Sequence, residues 1–345
     1  GPMLREYLIS EFMAAVGVPT TRSLAVVATG QEIRRETKLP GAVLARVAAS
    51  HLRVGTFQFF AARGEGNKVK ALADHAIARH YPYLAGVETP YLALLDAVIA
   101  RQAALIAEWM GLGFIHGVMN TDNMAISGET IDYGPCAFME GYAPGTVFSS
   151  IDHQGRYAYA NQPLILGWNL ARLAEALLPL LDPSQEKAIE IANDRLTGIA
   201  PRYRAEWLSV MRRKLGLPGE DFGDAALADD LMIAMEGADW TLTFRRLGDE
   251  AALRPLFTDF TKMEAWLLRW RARAGTGAAH RVAAANPAVI PRNHKVEEAL
   301  IAATDGEMAP FHALLSAVQQ PFTEAEPYML PAPTGFGPYV TFCGT

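Results

Sequence analysis

The sequence predicts an α+β fold in which a small strand-containing part precedes a larger, mostly helical part. Two short runs that favour β structure, at 21–27 and 42–47, lie near the N-terminus and are separated by a polar turn. Helical periodicity dominates from 68 to 112 and resumes from 162 onward. The chain has 345 residues and half of them are hydrophobic, so a sizeable core can form.

The first predicted element is a helix over residues 3–16. Leu4, Leu8 and Phe12 fall on one helical stripe, and Gly17 follows as a stop signal. The two runs at 21–27 and 42–47 then indicate a small sheet. The helix and the sheet together form the smaller part of the fold.

The next long element is a helix from about 91 to 110, which ends at Gly111 and Gly113. It leads into a polar hairpin-like segment over 116–136. A long irregular segment then covers 141–157, and connections of this length are usually functional. We therefore expect the chemistry to lie between the long helix and the helices that resume at 162.

Composition narrows the classes of protein to consider. The net charge of -6 and the pI near 5.8 argue against a nucleic-acid or membrane-surface partner, because both favour a basic face. No apolar run of transmembrane length and no cleavable signal pattern are evident, so we expect a cytoplasmic protein. In that compartment Cys136 and Cys343 are two free thiols or a regulatory pair.

The segment 116–136 reads HGVMNTDNMAISGETIDYGPC and carries the strongest chemical signal. A turn at Ser127-Gly128 predicts a hairpin of two short paired strands, which would bring Asp122, Asn123 and Asp132 to the same end. Carboxylate and amide oxygens of this kind suit Mg²⁺, which completes its shell with water and substrate phosphates.

The same order of side chains resembles protein kinases, in which a catalytic Asp and an Asn precede the metal-binding Asp of a D-F-G motif. Here D-Y-G at 132–134 takes the place of D-F-G. Asn123 directly follows Asp122, and neighbouring side chains on extended backbone point opposite ways, so the two should have different roles. A literal D-F-G at 221–223 lacks a catalytic loop upstream and precedes a helix, so we interpret Asp221 as a turn or cap residue.

The hairpin, together with LREYLISE, ARVAASHLRVGTFQFF and NPAVIPRNHKVEEAL, resembles the selenoprotein O family of kinase-like protein AMP-transferases. The resemblance covers essentially the whole chain. It implies a kinase-like fold with an incomplete small N-lobe over 1–85, an α-rich C-lobe over 86–320 that contains the hairpin, and a tail over 321–345. Family members are longer at the N-terminus, where they carry the nucleotide-covering strands and a phosphate-binding Lys. We therefore expect this chain to be N-terminally truncated, which leaves its activity by itself open.

The resemblance also implies roles for single residues. Glu6 matches the helix Glu that pairs with the phosphate-binding Lys and would be an orphan without it. Arg46 and Arg53 match arginines that contact the nucleotide phosphates, a task for which the planar guanidinium is well suited. Asn123 and Asp132 would hold Mg²⁺ or Mn²⁺ on ATP.

In the implied reaction Asp122 accepts the proton of a Ser, Thr or Tyr hydroxyl on a protein substrate, AMP is transferred and pyrophosphate leaves. The choice of the α-phosphorus comes from the resemblance alone, because the spacing fits ordinary γ-phosphoryl transfer by a protein kinase equally well. A third possibility is a non-catalytic nucleotide-binding or redox-responsive pseudokinase. Cys343 stands where the family has a selenocysteine or cysteine near the C-terminus, so we expect that oxidation could join Cys136 to Cys343.

Overall fold

A computed structural model describes residues 1–34 and 38–342 and has the predicted α+β composition. The strands are β1 (Arg22–Arg34), β2 (Lys38–Val47), β3 (Phe114–Ile115) and β4 (Ala137–Phe138). The helices are α1 (Pro2–Ala15), α2 (Val54–Ala61), α3 (Gly66–His80), α4 (Pro90–Leu112), α5 (Gln162–Leu181), α6 (Gln185–Thr197), α7 (Ile199–Lys214), α8 (Asp224–Ala234), α9 (Trp240–Arg245), α10 (Glu250–Leu253), α11 (Thr261–Ala274), α12 (Ala278–Ala285), α13 (Asn293–Thr304) and α14 (Ala309–Val318).

The N-terminal part consists of α1 and an antiparallel ribbon of β1 and β2. The two strands are longer than the runs in the sequence indicate, and Ser23 pairs with Arg46 in the ribbon. Helix α1 packs against the ribbon on one side and against α13 and α14 on the other. Leu8 and Phe12 are fully buried, as their stripe predicts. Because α1 is covered on both sides, Arg5, Glu6 and Glu11 are also buried and need partners.

Helix α4 is the central helix of the larger part and packs against α3, α5, α7 and β3. It ends at Leu112 because Gly113 has a left-handed φ of 68°, which a residue without Cβ adopts easily. Contrary to the expectation from the sequence, this helix and the segment Tyr159–Leu181 are long and apolar enough to cross a membrane. About half of each stretch is buried within the protein (50% and 44%), which is also usual for core helices, so they are weak evidence for a membrane span.

The literal D-F-G lies in a turn, as predicted. The Asp221 carboxylate accepts a hydrogen bond from the Gly223 amide at 2.8 Å, and α8 begins at the next residue. The Phe222 side chain is fully exposed. This motif therefore ends a loop and takes no part in the segment discussed below.

The segment after α14 has little regular structure but does not lie only on the surface. It runs across α13 and returns toward the end of the hairpin segment, where Thr341 is buried and pairs with Ser149. Cys343 lies outside the described residues.

Candidate active site

The turn of the predicted hairpin is present, but its two arms do not pair with each other. The Gly128 amide donates to the Ala125 carbonyl at 3.0 Å, and Gly128 has a φ of 78°. The prediction of two paired strands is wrong because each arm binds another part of the chain. Ala125 bridges Arg53 in an antiparallel sense, and Thr130 bridges Thr20 in a parallel sense.

These outward contacts connect the segment to the rest of the site. The Val54 amide donates to the Met124 carbonyl at 2.9 Å, so the start of α2 is fixed beside the first arm. The Thr130 amide donates to the Pro19 carbonyl at 2.9 Å, so the second arm is fixed beside the segment between α1 and β1. The short strands β3 and β4 then close the segment at its two ends.

Asp122 lies in a single 3-10 turn over Thr121–Asn123. Asn120 caps this turn, since its side-chain oxygen accepts from the Asp122 amide at 3.0 Å. The Asp122 carboxylate faces the first turn of α2 at Gly55 and lines an open cavity of about 580 Å³ together with Arg53. An acceptor group that enters this cavity would therefore meet a carboxylate and a guanidinium.

Gly55 is required at this contact because a Cβ on it would overlap the Asp122 carboxylate. We expect Gly55→Ala to displace the carboxylate and to lower nucleotidyl transfer roughly 10²-fold without unfolding the protein, since small misplacements of reacting groups have effects of this size. Gly66→Ala is the matched control, because Gly66 also lies in the first turn of a helix and has open space around it. Equal activity of the two variants would contradict the placement of Asp122.

Asn123 directly follows Asp122 in this turn but faces the protein interior, whereas Asp122 is exposed. Its side-chain nitrogen donates to the Val118 carbonyl at 2.9 Å. This bond orients the amide, and within residues 1–34 and 38–342 no donor binds its oxygen Oδ1. The oxygen is therefore available to a cation.

Asp132 is the one non-glycine residue with a left-handed backbone in the described part of the chain, with a φ of 68°. Asp tolerates this conformation better than most residues, and non-glycine residues that adopt it often have a functional reason. Its carboxylate oxygen Oδ1 accepts only a long 3.4 Å hydrogen bond from the Gly134 amide. His116, fully buried, contacts the Ile131 carbonyl through Nε2 at 2.9 Å and supports the backbone before Asp132.

Glu6 is not the orphan that the sequence suggests. Its carboxylate binds Arg46 at 2.8 Å and accepts the Tyr133 amide at 2.7 Å. Burial raises the pKa of Glu6, the nearby Asp132 raises it further, and Arg46 opposes the shift. The structure thus brings Glu6, Arg46 and the Asp132 turn together.

Arg53 lies apart from this group, at the N-terminus of α2 beside Asp122. Its Nε is buried and has no hydrogen-bond partner within the described residues. The two predicted phosphate-binding arginines therefore lie at different ends of the candidate site, Arg46 near Asp132 and Arg53 near Asp122.

Cys136 follows the Asp132 turn and is completely buried. Its thiol donates to the Tyr133 carbonyl at 3.2 Å, and burial raises the pKa of the thiol to about 12. Sequence reasoning missed Arg5, which donates to the Cys136 carbonyl, and Thr20, whose hydroxyl contacts that of Tyr133. The position of Arg5 next to Glu6 in LREYLISE is a signal that could have identified it.

The side-chain oxygens of Asn123 and Asp132 are of the kind that bind a metal ion whose other ligands are water and phosphate oxygens. No cluster of three His, Cys, Asp or Glu side chains that could hold a metal occurs within 1–34 and 38–342. Asn123 and Asp132 offer two oxygen atoms that have few protein partners. Such a pair suits Mg²⁺, which usually takes one or two protein ligands and fills its shell with water and phosphate oxygens.

Comparison with known proteins identifies the family. A family model described as protein adenylyltransferase SelO matches residues 2–319. A protein nucleotidyltransferase YdiU of Cereibacter sphaeroides (strain ATCC 17029 / ATH 2.4.9) is 63% identical over 356 residues, covering 100% of this chain and 74% of the relative.

Proteins of the same name from more distant bacteria agree. The Mycolicibacterium paratuberculosis protein is 58% identical and the Agrobacterium fabrum protein 55% identical, each over 100% of this chain and over 73% and 74% of the relative. The resemblance found in the sequence motifs is thereby confirmed. The chain belongs to the SelO family of protein adenylyltransferases.

Proposed function

We propose that this protein transfers AMP from ATP to Ser, Thr or Tyr hydroxyls of protein substrates. The observation that carries the proposal is the position of the Asp122 carboxylate in an open cavity beside Arg53, with Asn123 as the next residue of the same turn. The proposed general base thus lies beside a cation that can bind phosphate, and the proposed metal-binding amide follows it in the chain. The family and its named relatives supply the reaction type.

The proposed roles follow from the chemistry of each side chain. Arg46 and Arg53 bind the phosphates of ATP, because charge-assisted bonds from guanidinium groups are strong and directional. Asn123 and Asp132 would hold Mg²⁺ or Mn²⁺. When bound, the cation neutralises charge on the phosphates. Glu6 holds Arg46 and the Tyr133 amide in place.

In the chemical step the acceptor oxygen forms a bond to the α-phosphorus of ATP. The bond between that phosphorus and the pyrophosphate oxygen breaks, and pyrophosphate leaves. The hydroxyl proton goes to the Asp122 carboxylate, which acts as a general base. The exposed position of Asp122 in its cavity suits an acceptor that arrives on another protein.

We propose that this chain has a kinase-like architecture. A small N-lobe would comprise 1–85, the C-lobe 86–320 and the tail 321–345. The order of a Glu-bearing helix, a β-ribbon, a central helix, a turn with the proposed base and a metal-binding turn supports this proposal. A cytoplasmic location is a further proposal that rests on the absence of a recognisable signal pattern. The net charge of -6 supports the proposal that the protein has no nucleic-acid partner.

The mass of the modified acceptor tests the proposed reaction against ordinary phosphoryl transfer. The protein is incubated with ATP, Mg²⁺ and an acceptor protein, and intact masses are measured. An AMP adduct is expected. A phosphate adduct would instead identify a protein kinase, and nucleotide binding without any adduct would favour a pseudokinase.

The arginine roles predict a specific loss of nucleotide affinity. We expect Arg46→Lys and Arg53→Lys each to weaken binding of Mg²⁺ and α,β-methylene ATP by about 1.5–3 kcal/mol where the contact is desolvated, because lysine lacks the planar fork. Calorimetry measures the effect, and Arg204→Lys on an exposed face of α7 is the control. Full affinity in both variants would show that neither arginine binds the nucleotide phosphates.

Redox control through Cys136 and Cys343 remains a proposal. Thr341, two residues before Cys343, contacts the Pro135 carbonyl at 2.6 Å, so the chain reaches the vicinity of Cys136. The raised pKa of the Cys136 thiol opposes fast oxidation, so the buried thiol would have to become exposed first. Peptide mapping of air-oxidised protein should find the two cysteines linked. Two free thiols would contradict the proposal.

A further inference from the structure

The C-terminal strap, defined here as residues 336–342, contacts the segment that follows Asp132. The Thr341 amide donates to the Phe148 carbonyl at 2.8 Å, and the Thr341 hydroxyl donates to the Pro135 carbonyl at 2.6 Å. Thr341 is buried, so the hydroxyl contact is shielded from water. Thr341 of the strap therefore directly binds Pro135, which lies three residues after Asp132.

A second residue of the strap acts through Arg5. The Tyr339 hydroxyl accepts from Arg5 Nη1 at 3.0 Å and donates to the Glu297 carboxylate at 2.6 Å. The other terminal nitrogen of Arg5 donates to the Cys136 carbonyl. Since Arg5 is buried, these partners fix the direction in which its guanidinium points.

The Pro135 carbonyl thus accepts from the strap, and the next carbonyl, of Cys136, accepts from Arg5, whose Nη1 is held by Tyr339 and, at 3.4 Å, by Glu297. On the other side of the turn the Tyr133 amide is held by Glu6. Asp132, just before these residues, has a left-handed backbone, and such a conformation persists only when its surroundings determine it. The contacts made by the strap are part of these surroundings.

We propose that Tyr339 and Thr341 are positioning residues for Asp132, Thr341 through the Pro135 carbonyl and Tyr339 through Arg5. The proposal rests on the proposed role of Asp132 as a ligand of the metal that carries ATP. The strap would then belong to the site, because its release would leave the Asp132 carboxylate less firmly positioned.

Substitutions that remove only a hydroxyl test this role. Tyr339→Phe and Thr341→Val keep the size of the side chains, and the double variant removes both contacts. Tyr328→Phe and Thr334→Val are matched controls on the same C-terminal segment, since neither side chain makes a hydrogen bond within the described residues. All variants are made in the full 345-residue chain.

Two readouts separate positioning of Asp132 from simple anchoring of the strap. The first is amide hydrogen exchange over residues 131–138 without nucleotide, which we expect to quicken at least about fivefold in the double variant, given the usual size of hydrogen-bond contributions. The second is the Mg²⁺ concentration that half-saturates binding of α,β-methylene ATP, which should rise by a similar factor. Exchange in α7 should stay unchanged.

The proposal is overturned if only the strap exchanges faster while residues 131–138 and the Mg²⁺ dependence match the controls. It is equally overturned if the double variant matches the controls in every readout. Neither readout requires catalysis. If the parent protein forms no AMP adduct but the double variant shows both changes, the proposed function fails and the positioning role stands.

Discussion

Replacement of Asp122 by asparagine is expected to lower AMP transfer by about 10²–10⁴-fold while nucleotide binding stays near the parent value. Asparagine fills the same space beside Gly55 but cannot accept a proton from the acceptor hydroxyl, and a positioned general base contributes a factor of this size. The measurement is single-turnover transfer of AMP to an acceptor protein, with calorimetry of α,β-methylene ATP on the same variant.

Asp230→Asn is the control for this experiment, since Asp230 lies on α8 and pairs with Arg269 at the surface. It should transfer AMP at the parent rate. If Asp122→Asn kept the full rate, Asp122 would not be the base, and the cavity beside Arg53 would lose its assigned role.

Removal of the Asp132 carboxylate is expected to abolish metal-dependent nucleotide binding with the fold intact. Asp132→Ala and Asp132→Gly both remove the proposed ligand, but they differ in backbone cost. At a φ of 68° alanine is strained and glycine is not, so the free energy of unfolding of Asp132→Ala should be about 1 kcal/mol lower than that of Asp132→Gly. Glycine is therefore the cleaner test of metal binding.

Calorimetry with Mg²⁺ and α,β-methylene ATP measures the loss, and urea unfolding measures the stability of each variant. Both variants should lose binding, and Asp132→Ala should be the less stable of the two. An unchanged affinity for Mg²⁺ and nucleotide in Asp132→Gly would disprove the assignment of Asp132 as the principal ligand.

The parts of this fold that follow local rules could be predicted from the sequence. The stripe of Leu8 and Phe12 identified α1, and the Ser127-Gly128 turn was correct because it depends on neighbouring residues. The predicted pairing of the hairpin arms failed because their partners, Arg53 and Thr20, are distant in sequence. Periodicity carries no information about such contacts.

The same distinction applies to the site. Residue type and family motifs identified Asp122, Asn123 and Asp132 as candidates. They did not predict the contacts that position these residues. The partnership of Glu6 with Arg46 spans 40 positions and converts an expected orphan into a buried ion pair. The contact of Thr341 with Pro135 spans 206 positions, and nothing in the composition of the tail indicates it.

Transfer of label from ATP tests the central claim most directly. Parallel reactions contain the protein, Mg²⁺, an acceptor protein and ATP labelled at either the α- or the γ-phosphorus, with Asp122→Asn as the inactive reference. The proposed mechanism predicts that the acceptor takes up α-label and no γ-label, and that the Asp122→Asn reaction shows neither. Uptake of γ-label by the acceptor, or equal uptake of α-label with Asp122→Asn, would contradict it.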